Sequence, residues 1–192
     1  MDGTRGSRIG LIYLASATAR QLSSEVIQWR RRDDIACGNA AAKQRTERGL
    51  QALLLQALVA TGADFGNIQL LEPDGLRIAA QYGFGRRFLA FFCCVKDGGS
   101  ACGAALGEGR RVIVESVPSH PIFQRSAAAE ILRDAEVEAV QSTPLFAAAG
   151  RLLGVLSTHY RRPRQFRASE LDILDIAARR AAHWVEASLA AV

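Results

Sequence analysis

The sequence has few of the residues on which metal sites and disulfide frameworks depend. Its 192 residues include only four cysteines and three histidines. The cysteines are too few for a disulfide framework in a chain of this length, and no spacing gives the paired Cys-x-x-Cys motifs of a zinc site. The histidines are widely spaced and give no support for a metal centre. Cysteine usage favours a reducing compartment, so we expect a cytoplasmic protein.

Long apolar runs and several catalytic signatures are also missing. The apolar run at residues 9–19 follows two arginines and looks like a short signal peptide, but it is too short to span a bilayer. We favour an amphipathic helix at this position over secretion, and we expect no membrane partner. No Walker-type phosphate loop, Gly-x-Ser-x-Gly elbow or paired-carboxylate motif appears, so none of these signatures supports an enzyme.

Negative charge is outweighed by positive charge, and the formal net charge of +5 comes largely from arginine. A basic balance of this kind can indicate nucleic-acid binding. The arginine clusters are scattered along the chain, however, and no recognised binding module accompanies them. We therefore interpret them as solvated surface and expect no nucleic-acid partner.

What the sequence does offer is a strong hairpin signal around residue 150. Val140–Phe146 and Leu152–Tyr160 are rich in β-branched, aromatic and aliphatic residues. The short segment between them, Ala147–Gly150, ends in glycine. This pattern predicts two strands joined by a turn.

Both strands carry polar residues inside otherwise apolar runs. These residues are Gln141, Ser142 and Thr143 in the first strand and Ser157, Thr158 and His159 in the second. Side chains alternate along a strand, so Ser157 and His159 share one face and Thr158 lies on the other. Small polar groups beside apolar ones suit the floor of a small-molecule pocket. The alternative is that the hydroxyls bond only to neighbouring backbone.

The remaining patterns predict an α+β fold, with an antiparallel sheet of five or six strands between helical layers. Further strands are predicted at residues 65–71, 76–82 and 111–117, and helices at residues 11–32, 40–61, 101–108 and 127–134. Ser100 is the predicted N-cap of the third of these helices. A last helix is predicted to begin at Ser169, with Asp172 completing a capping box. We divide the chain into a helical extension, residues 1–48, and one domain, residues 49–192.

Five segments of the chain stand in the order found in a known family. They are Gly66–Leu70, Gly99–Gly103, Gln141–Leu145, Leu153–His159 and Glu170–Asp172. Together they resemble the GAF domain, in the version common in bacterial sensor proteins, over roughly residues 50–189. The resemblance implies a role in signal transduction and a homodimer formed by the terminal helices. Because no kinase or cyclase module is present in this chain, a separate output protein such as a histidine kinase is the expected partner.

Cys102 is the single residue with the clearest chemical potential. It lies just inside the predicted helix that follows Ser100, where free N–H groups and the helix dipole stabilise a thiolate. Cys93 and Cys94 lie upstream across a glycine loop, so a redox pair is one interpretation. The other interpretation is that Cys102 is a small, buried and inert residue.

One enzymatic branch of the family gives this interpretation a direct test. The free methionine-(R)-sulfoxide reductases carry a Gly-x-Cys-Gly segment that resembles Ser100–Gly103. They also have a cysteine, usually taken as the nucleophile, in a loop that corresponds to Ser119–Phe123, where this chain has no thiol. Acidic residues hold the substrate's ammonium group in those enzymes, at positions where this chain has Ser157 and His159. Both departures argue against reductase activity.

We therefore predict a non-catalytic GAF sensor domain that binds a small molecule or responds to redox state. The predicted pocket residues are Phe88, Phe91 and Phe92 as apolar walls and Cys102, Ser142, Thr158 and His159 as polar anchors. The pattern names no ligand and no cofactor, because GAF pockets accept unrelated molecules on one scaffold. Two alternatives stay open. One is a thiol enzyme that uses Cys102 with Cys93 or Cys94, and the other is a ligand-free dimerisation module, which a pocket filled by the phenylalanines would favour.

Overall fold

Two long helices bracket the part of the chain that this computed structural model describes, which is residues 39–96, 98–124 and 126–190. Helix α1 spans Asn39–Thr61 and helix α5 spans Ala168–Ala190. No helix in these ranges is long and apolar enough to cross a membrane. The helix predicted at residues 11–32 lies outside the described residues, and the predicted division between residues 48 and 49 falls within α1.

A five-stranded antiparallel sheet lies between the helices. Its strands are β1 (Phe65–Glu72), β2 (Gly75–Tyr82), β3 (Val112–Val114), β4 (Ala139–Phe146) and β5 (Leu152–Tyr160). Their order across the sheet is β2-β1-β5-β4-β3, which places β5 at the centre, paired with β1 on one side and β4 on the other. The predicted α+β architecture is confirmed, with five strands.

Strand β3 is shorter than the strand predicted over residues 111–117. Only Val112–Val114 pairs with β4, and a 3₁₀ turn follows at Val117–Ser119, with a second one at Pro121–Phe123. Each turn has a proline in its first two positions. Because proline has no N–H to donate to a neighbouring strand, these turns cannot continue the pairing of β3.

Different helices cover the two faces of the sheet. Helices α1 and α5 pack on what we call the long-helix face, where a core that includes Leu54, Leu156 and Leu174 is fully buried. Helices α2 (Arg86–Phe91), α3 (Ala101–Glu108) and α4 (Ala127–Asp134) cover the opposite side, which we call the short-helix face. Residues that alternate along one strand therefore enter two separate cores.

Glycines end two of the helices, and the predicted cap Ser100 begins one of them. Gly62 follows α1 with a φ of 64°, and Gly109 closes α3 with a φ of 62°. Glycine adopts this left-handed conformation without the steric strain that a Cβ would cause. Ser100 caps the start of α3, where its Oγ accepts a hydrogen bond of 3.2 Å from the Gly103 N–H.

The start of α5 differs from the prediction. The helix begins at Ala168, and the Glu170 carboxylate accepts a hydrogen bond of 2.9 Å from the backbone N–H of Arg167. Glu170 thus occupies the third helical position of a capping box. The predicted box of Ser169 and Asp172 is wrong, because the helix starts one residue earlier.

Buried polar side chains are joined in a chain across the long-helix face. Gln141 Nε2 donates to Thr158 Oγ1 over 3.1 Å, and Thr143 Oγ1 donates to Gln141 Oε1 over 2.7 Å. The Thr158 hydroxyl also lies 3.2 Å from the Tyr160 hydroxyl. We call these four residues the polar chain. Burying such groups is tolerated because they bond to one another.

Arg111 extends the polar chain to helix α5. Its Nε donates to Thr143 Oγ1 over 3.0 Å, and its Nη2 donates to the Leu171 carbonyl over 2.9 Å and to the Asp175 carboxylate. The centre of the sheet is therefore tied to α5 by hydrogen bonds as well as by apolar packing.

Candidate functional site

A small cavity lies between the short-helix face and the helices that cover it. Its lining residues are Asn67, Phe88, Phe92, Ser100, Ala101, Cys102, Phe123, Leu132, Val140, Ser142, Ser157 and His159. The volume open to the centre of a water molecule is about 10 Å³, which is roughly what a single water needs. The side chains around it therefore fill most of the space that a larger ligand would take.

The floor of the cavity is a row of polar side chains set by strand register. Asn67 is opposite Ser157 across β1 and β5, and Ser142 is opposite Ser157 across β4 and β5. Directly paired residues project to the same side of a sheet, so the three side chains form one row. Ser142 Oγ and Ser157 Oγ share a hydrogen bond of 2.8 Å. Asn67 Oδ1 is buried and has no hydrogen-bond partner among the described residues.

His159 continues this polar floor one row further along β5. Its ring meets the edges of Phe84 and Phe88 nearly at right angles, with centroid distances of 5.0 and 5.8 Å. Burial lowers the pKa of His159 from its ordinary value of 6.5 to about 3. The ring is therefore neutral near pH 7, and its buried Nδ1 finds no partner within the part of the chain that the structure describes.

Three phenylalanines form what we call the aromatic cover. Phe84 and Phe88 stack with ring centroids 3.5 Å apart, and Phe92 packs on Phe88 at 4.4 Å. Stacked rings of this kind bury a large apolar area. The Phe92 carbonyl accepts a hydrogen bond of 3.3 Å from Gln69 Nε2, which holds the end of α2 against β1. The cover therefore closes the cavity on the side that faces α2.

On its outer side, helix α2 is held by ion pairs. Arg87 pairs with Glu130 at 3.1 Å and also with Asp134, both on α4. The Arg87 side chain is 62% exposed. Ion pairs of such exposure contribute about 0–1 kcal/mol, so the outer attachment of α2 is weak.

Cys102 is a buried thiol at the first turn of α3. Its Sγ lies 3.3 Å from Ser100 Oγ. Burial raises the pKa of the Cys102 thiol, and hydrogen bonds with Ser100 and Gly103 only partly oppose that effect. The helix N-terminus thus does not make Cys102 a thiolate, because the loss of solvation has the larger influence.

The other described cysteines lie outside the cavity lining. Cys93 is exposed, while Cys94 is half-buried and its Sγ donates to the Asp74 carbonyl over 3.2 Å. Cys93, Cys94 and Cys102 are all free thiols. The two upstream cysteines follow the aromatic cover directly in the chain, but unlike Cys102 they do not line the cavity.

Five of the seven predicted pocket residues do line the cavity, namely Phe88, Phe92, Cys102, Ser142 and His159. Phe91 does not, because its side of α2 turns outward and leaves it 40% exposed. Thr158 does not either, because alternation along β5 places it in the polar chain of the long-helix face. The structure corrects these two placements.

Three polar lining residues are missing from the predicted set: Asn67, Ser100 and Ser157. Alternation along β5 already groups Ser157 with His159, so that residue could have been found. Ser100 is recognisable as a helix cap, which is the position that brings it beside Cys102. Asn67 requires the pairing register of β1 with β5, which no local pattern supplies.

The part of the chain that the structure describes contains no candidate metal centre. In the described ranges, no group of three or more His, Cys, Asp or Glu residues could hold a metal ion. His120, in the loop after β3, uses its Nδ1 to accept a hydrogen bond of 3.3 Å from the Ile122 N–H. Its observed role is to cap a short turn.

Comparison with known proteins gives a family match and a set of similar folds. The family model described as the GAF domain matches residues 44–186. No curated protein matches the chain. Among solved structures, a domain of a two-component sensor histidine kinase protein from Sinorhizobium meliloti is 22% identical, covers 74% of this chain and 91% of its own, and has a TM-score of 0.63.

Two further solved structures show how broad the fold's use is. The GAF domain of a phosphoenolpyruvate-protein phosphotransferase from Coxiella burnetii is 16% identical, with 90% of this chain and 96% of that chain covered and a TM-score of 0.65. A free methionine-R-sulfoxide reductase from Neisseria meningitidis, solved with its substrate, is 22% identical, with both chains fully covered and a TM-score of 0.62. At these identities the likeness shows the fold alone. Since the family model spans most of the sequence, the chain belongs to the GAF domain family.

Proposed function

We propose that the protein is a non-catalytic GAF sensor domain that binds a small molecule in the cavity of the short-helix face. The observation that carries this proposal is a pair of buried polar atoms, Asn67 Oδ1 and His159 Nδ1, which lack a partner within the described residues. A buried polar atom left without a hydrogen bond costs about 1–3 kcal/mol. A ligand that supplies the missing partners accounts for both atoms at once.

The competing enzymatic function is the reductase chemistry of the similar structure from Neisseria meningitidis. Three features of this chain support a sensor instead. The pKa of Cys102 is raised by burial, so the thiol is a poor nucleophile. The loop of residues 119–123 contains no cysteine, and the floor of the cavity has no acidic residue with which to hold an ammonium group.

A route for the signal follows from the alternation of strand residues. Ser142 stands between Gln141 and Thr143 on β4, and Thr158 lies between the two cavity residues of β5. A shift of either strand on ligand binding therefore acts on the polar chain, and through Arg111 on helix α5. The ligand must bind one arrangement of the helices more tightly than the other. A ligand with equal affinity for both arrangements would not change the equilibrium between them.

The assembly that we propose is a cytoplasmic homodimer formed through the terminal helices. In this arrangement α5 passes the signal to a separate output protein, such as a histidine kinase. The similar domain of a sensor histidine kinase protein from Sinorhizobium meliloti supports this context.

A ligand-free dimerisation module is the second candidate, and the size of the cavity favours it. Phe88 and Phe92 line a space with room for about one water molecule. If no ligand binds, the aromatic cover is simply part of the core. The two candidates differ in whether the cover opens.

Native mass spectrometry of freshly purified full-length protein, without reductant, tests the proposal. We expect a dimer that retains a non-covalent ligand, and we expect Cys102→Ser to retain the same added mass. A bare polypeptide mass would favour the ligand-free module. The parallel assay offers free methionine-(R)-sulfoxide with a thiol reductant, and turnover that disappears in Cys102→Ser would replace the sensor proposal with the enzymatic one.

A further inference from the structure

The lining of the cavity contains no residue with a fixed charge. Aspartate, glutamate, lysine and arginine are all absent from its twelve residues. The titratable side chains in the lining are Cys102 and His159, and burial favours the neutral form of each. A charged ligand would lose its hydration here without gaining a counter-charge, and for an ion that loss is several kcal/mol.

The polar atoms of the floor define which hydrogen bonds a ligand must make. Asn67 Oδ1 can only accept, and His159 Nδ1 accepts when the ring proton is on Nε2. In the hydrogen-bonded pair of Ser142 and Ser157, one hydroxyl donates to the other, which leaves the second proton free to donate. The floor thus presents two acceptors and one donor to a bound molecule.

The walls of the cavity favour a flat molecule. Phe88 and Phe92 line it with their rings, and a planar group stacks on such surfaces more favourably than a branched one. Anything larger than a water molecule needs part of the aromatic cover to move. The chain before α2 contains Gly83 and Gly85, and glycine has access to more backbone conformations than any other residue. The outer ion pairs of Arg87 are too exposed to prevent it.

We propose that the cavity selects neutral, planar primary carboxamides and rejects carboxylates, phosphates and ammonium compounds. The N–H groups of such a ligand donate to Asn67 and His159, and its carbonyl accepts from the serine pair. Displacement of Phe88 and Phe92 by the planar group changes the position of α2. This inference names the ligand class of the cavity and therefore rests on the proposed function.

Three probes of nearly equal size separate charge from shape: benzamide, benzoate and benzamidinium. Their binding to the full-length protein is measured at pH 7.5 by titration calorimetry or by the shift of unfolding temperature. We expect benzamide to bind at least tenfold more tightly than either ion. Benzoate cannot donate to the floor, and benzamidinium can donate but brings an uncompensated charge.

Two variants locate the binding. Asn67→Val removes one acceptor of the floor and is expected to weaken benzamide binding at least tenfold. Thr61→Val is the matched control, because it is nearly isosteric and Thr61 is buried at the end of α1, outside both the cavity lining and the polar chain. Its affinity for benzamide should stay within twofold of wild type. Circular dichroism confirms that both variants are folded.

The possible failures are distinguishable. Binding of benzoate or benzamidinium that equals or exceeds that of benzamide would overturn the ligand class while leaving the sensor function in place. A benzamide affinity unchanged by Asn67→Val would equally overturn it. If no probe binds and native mass spectrometry shows a bare polypeptide, the proposed function fails together with the inference. If the protein retains a ligand of its own, a neutral ligand supports the inference and a charged one overturns it.

Discussion

The two faces of the sheet both bury polar side chains, but they differ in whether the buried polar atoms have hydrogen-bond partners. On the long-helix face, Gln141, Thr143 and Thr158 bond to one another and, through Arg111, to helix α5. On the short-helix face, Asn67 Oδ1 and His159 Nδ1 are equally buried and find no partner among the described residues. The same sheet therefore carries a satisfied polar network on one face and polar atoms without partners on the other.

This difference separates polar groups that stabilise the fold from groups that lower its stability. A satisfied buried network contributes to stability and fixes the position of α5. An unsatisfied group lowers stability, and native proteins contain few of them, so each one calls for an explanation. Gln69 Oε1 is a third such atom on the same side, next to the attachment of the aromatic cover. Their concentration on one face is the reason why we propose a ligand site on that face.

The largest expected effect is a loss of stability in acid that comes from His159. Its pKa is about 3 in the folded protein, against an ordinary value of 6.5. Between these pH values His159 is protonated in the unfolded chain and neutral in the folded protein. The free energy of unfolding therefore falls as the pH is lowered from about 6.5 towards 3, by up to about 1.4 kcal/mol for each pH unit. At pH 4.5 the loss from this residue is about 2–3 kcal/mol.

Urea unfolding at several pH values measures this effect. His159→Gln should show a shallower decline between pH 6.5 and 4.5 than wild type, because the amide does not titrate. His183→Gln is the control, since His183 is exposed on α5, and it should follow the wild-type curve. Parallel curves for wild type and His159→Gln would show that His159 is not a buried neutral histidine.

A smaller loss is expected from breaking the satisfied network. Gln141→Leu keeps the volume of the side chain but leaves the Thr143 and Thr158 hydroxyls without their shared partner. We expect the free energy of unfolding to fall by about 2 kcal/mol. Chemical denaturation at pH 7.5 measures it. An unchanged free energy of unfolding would mean that the polar chain contributes nothing to stability. The two faces would then not differ in how their buried polar groups affect stability.

The smallest expected loss of stability comes from breaking the hydrogen bond between Ser142 and Ser157 in the cavity floor. Ser142→Ala leaves Ser157 without its 2.8 Å partner and should cost about 1 kcal/mol. The double variant Ser142→Ala with Ser157→Ala should lose less than the sum of the two single variants, because neither partner is then left unpaired. Additive losses in a double-mutant cycle would contradict a direct hydrogen bond between the serines.

Much of the fold follows from local patterns in the sequence. The start of α3 lies where Ser100 predicts it, because a helix cap acts over only three or four residues. The end of β3 was harder to predict. Residues 111–117 alternate like a strand, but the prolines that follow remove the N–H donors that pairing needs.

The site was only partly predictable, because it depends on contacts across strands. Ser142 and His159 could be found as polar residues within apolar strands. Thr158 belongs to the same pattern, yet alternation sends it to the opposite face, so composition alone does not identify a pocket residue. Asn67 comes into the cavity through its pairing with Ser157, which lies ninety residues away in the chain. Register over that distance is decided by the packing of the whole sheet.

The most direct test of the contrast between the two faces is the stability of Asn67→Val in the absence of added ligand. The substitution replaces a buried acceptor that has no partner with an apolar side chain suited to a strand. We predict that the free energy of unfolding, measured in urea beside wild type, stays the same or rises by up to about 1 kcal/mol. A fall of about 2 kcal/mol, like that expected for Gln141→Leu, would contradict the account, because Asn67 would then be a structural residue of the core.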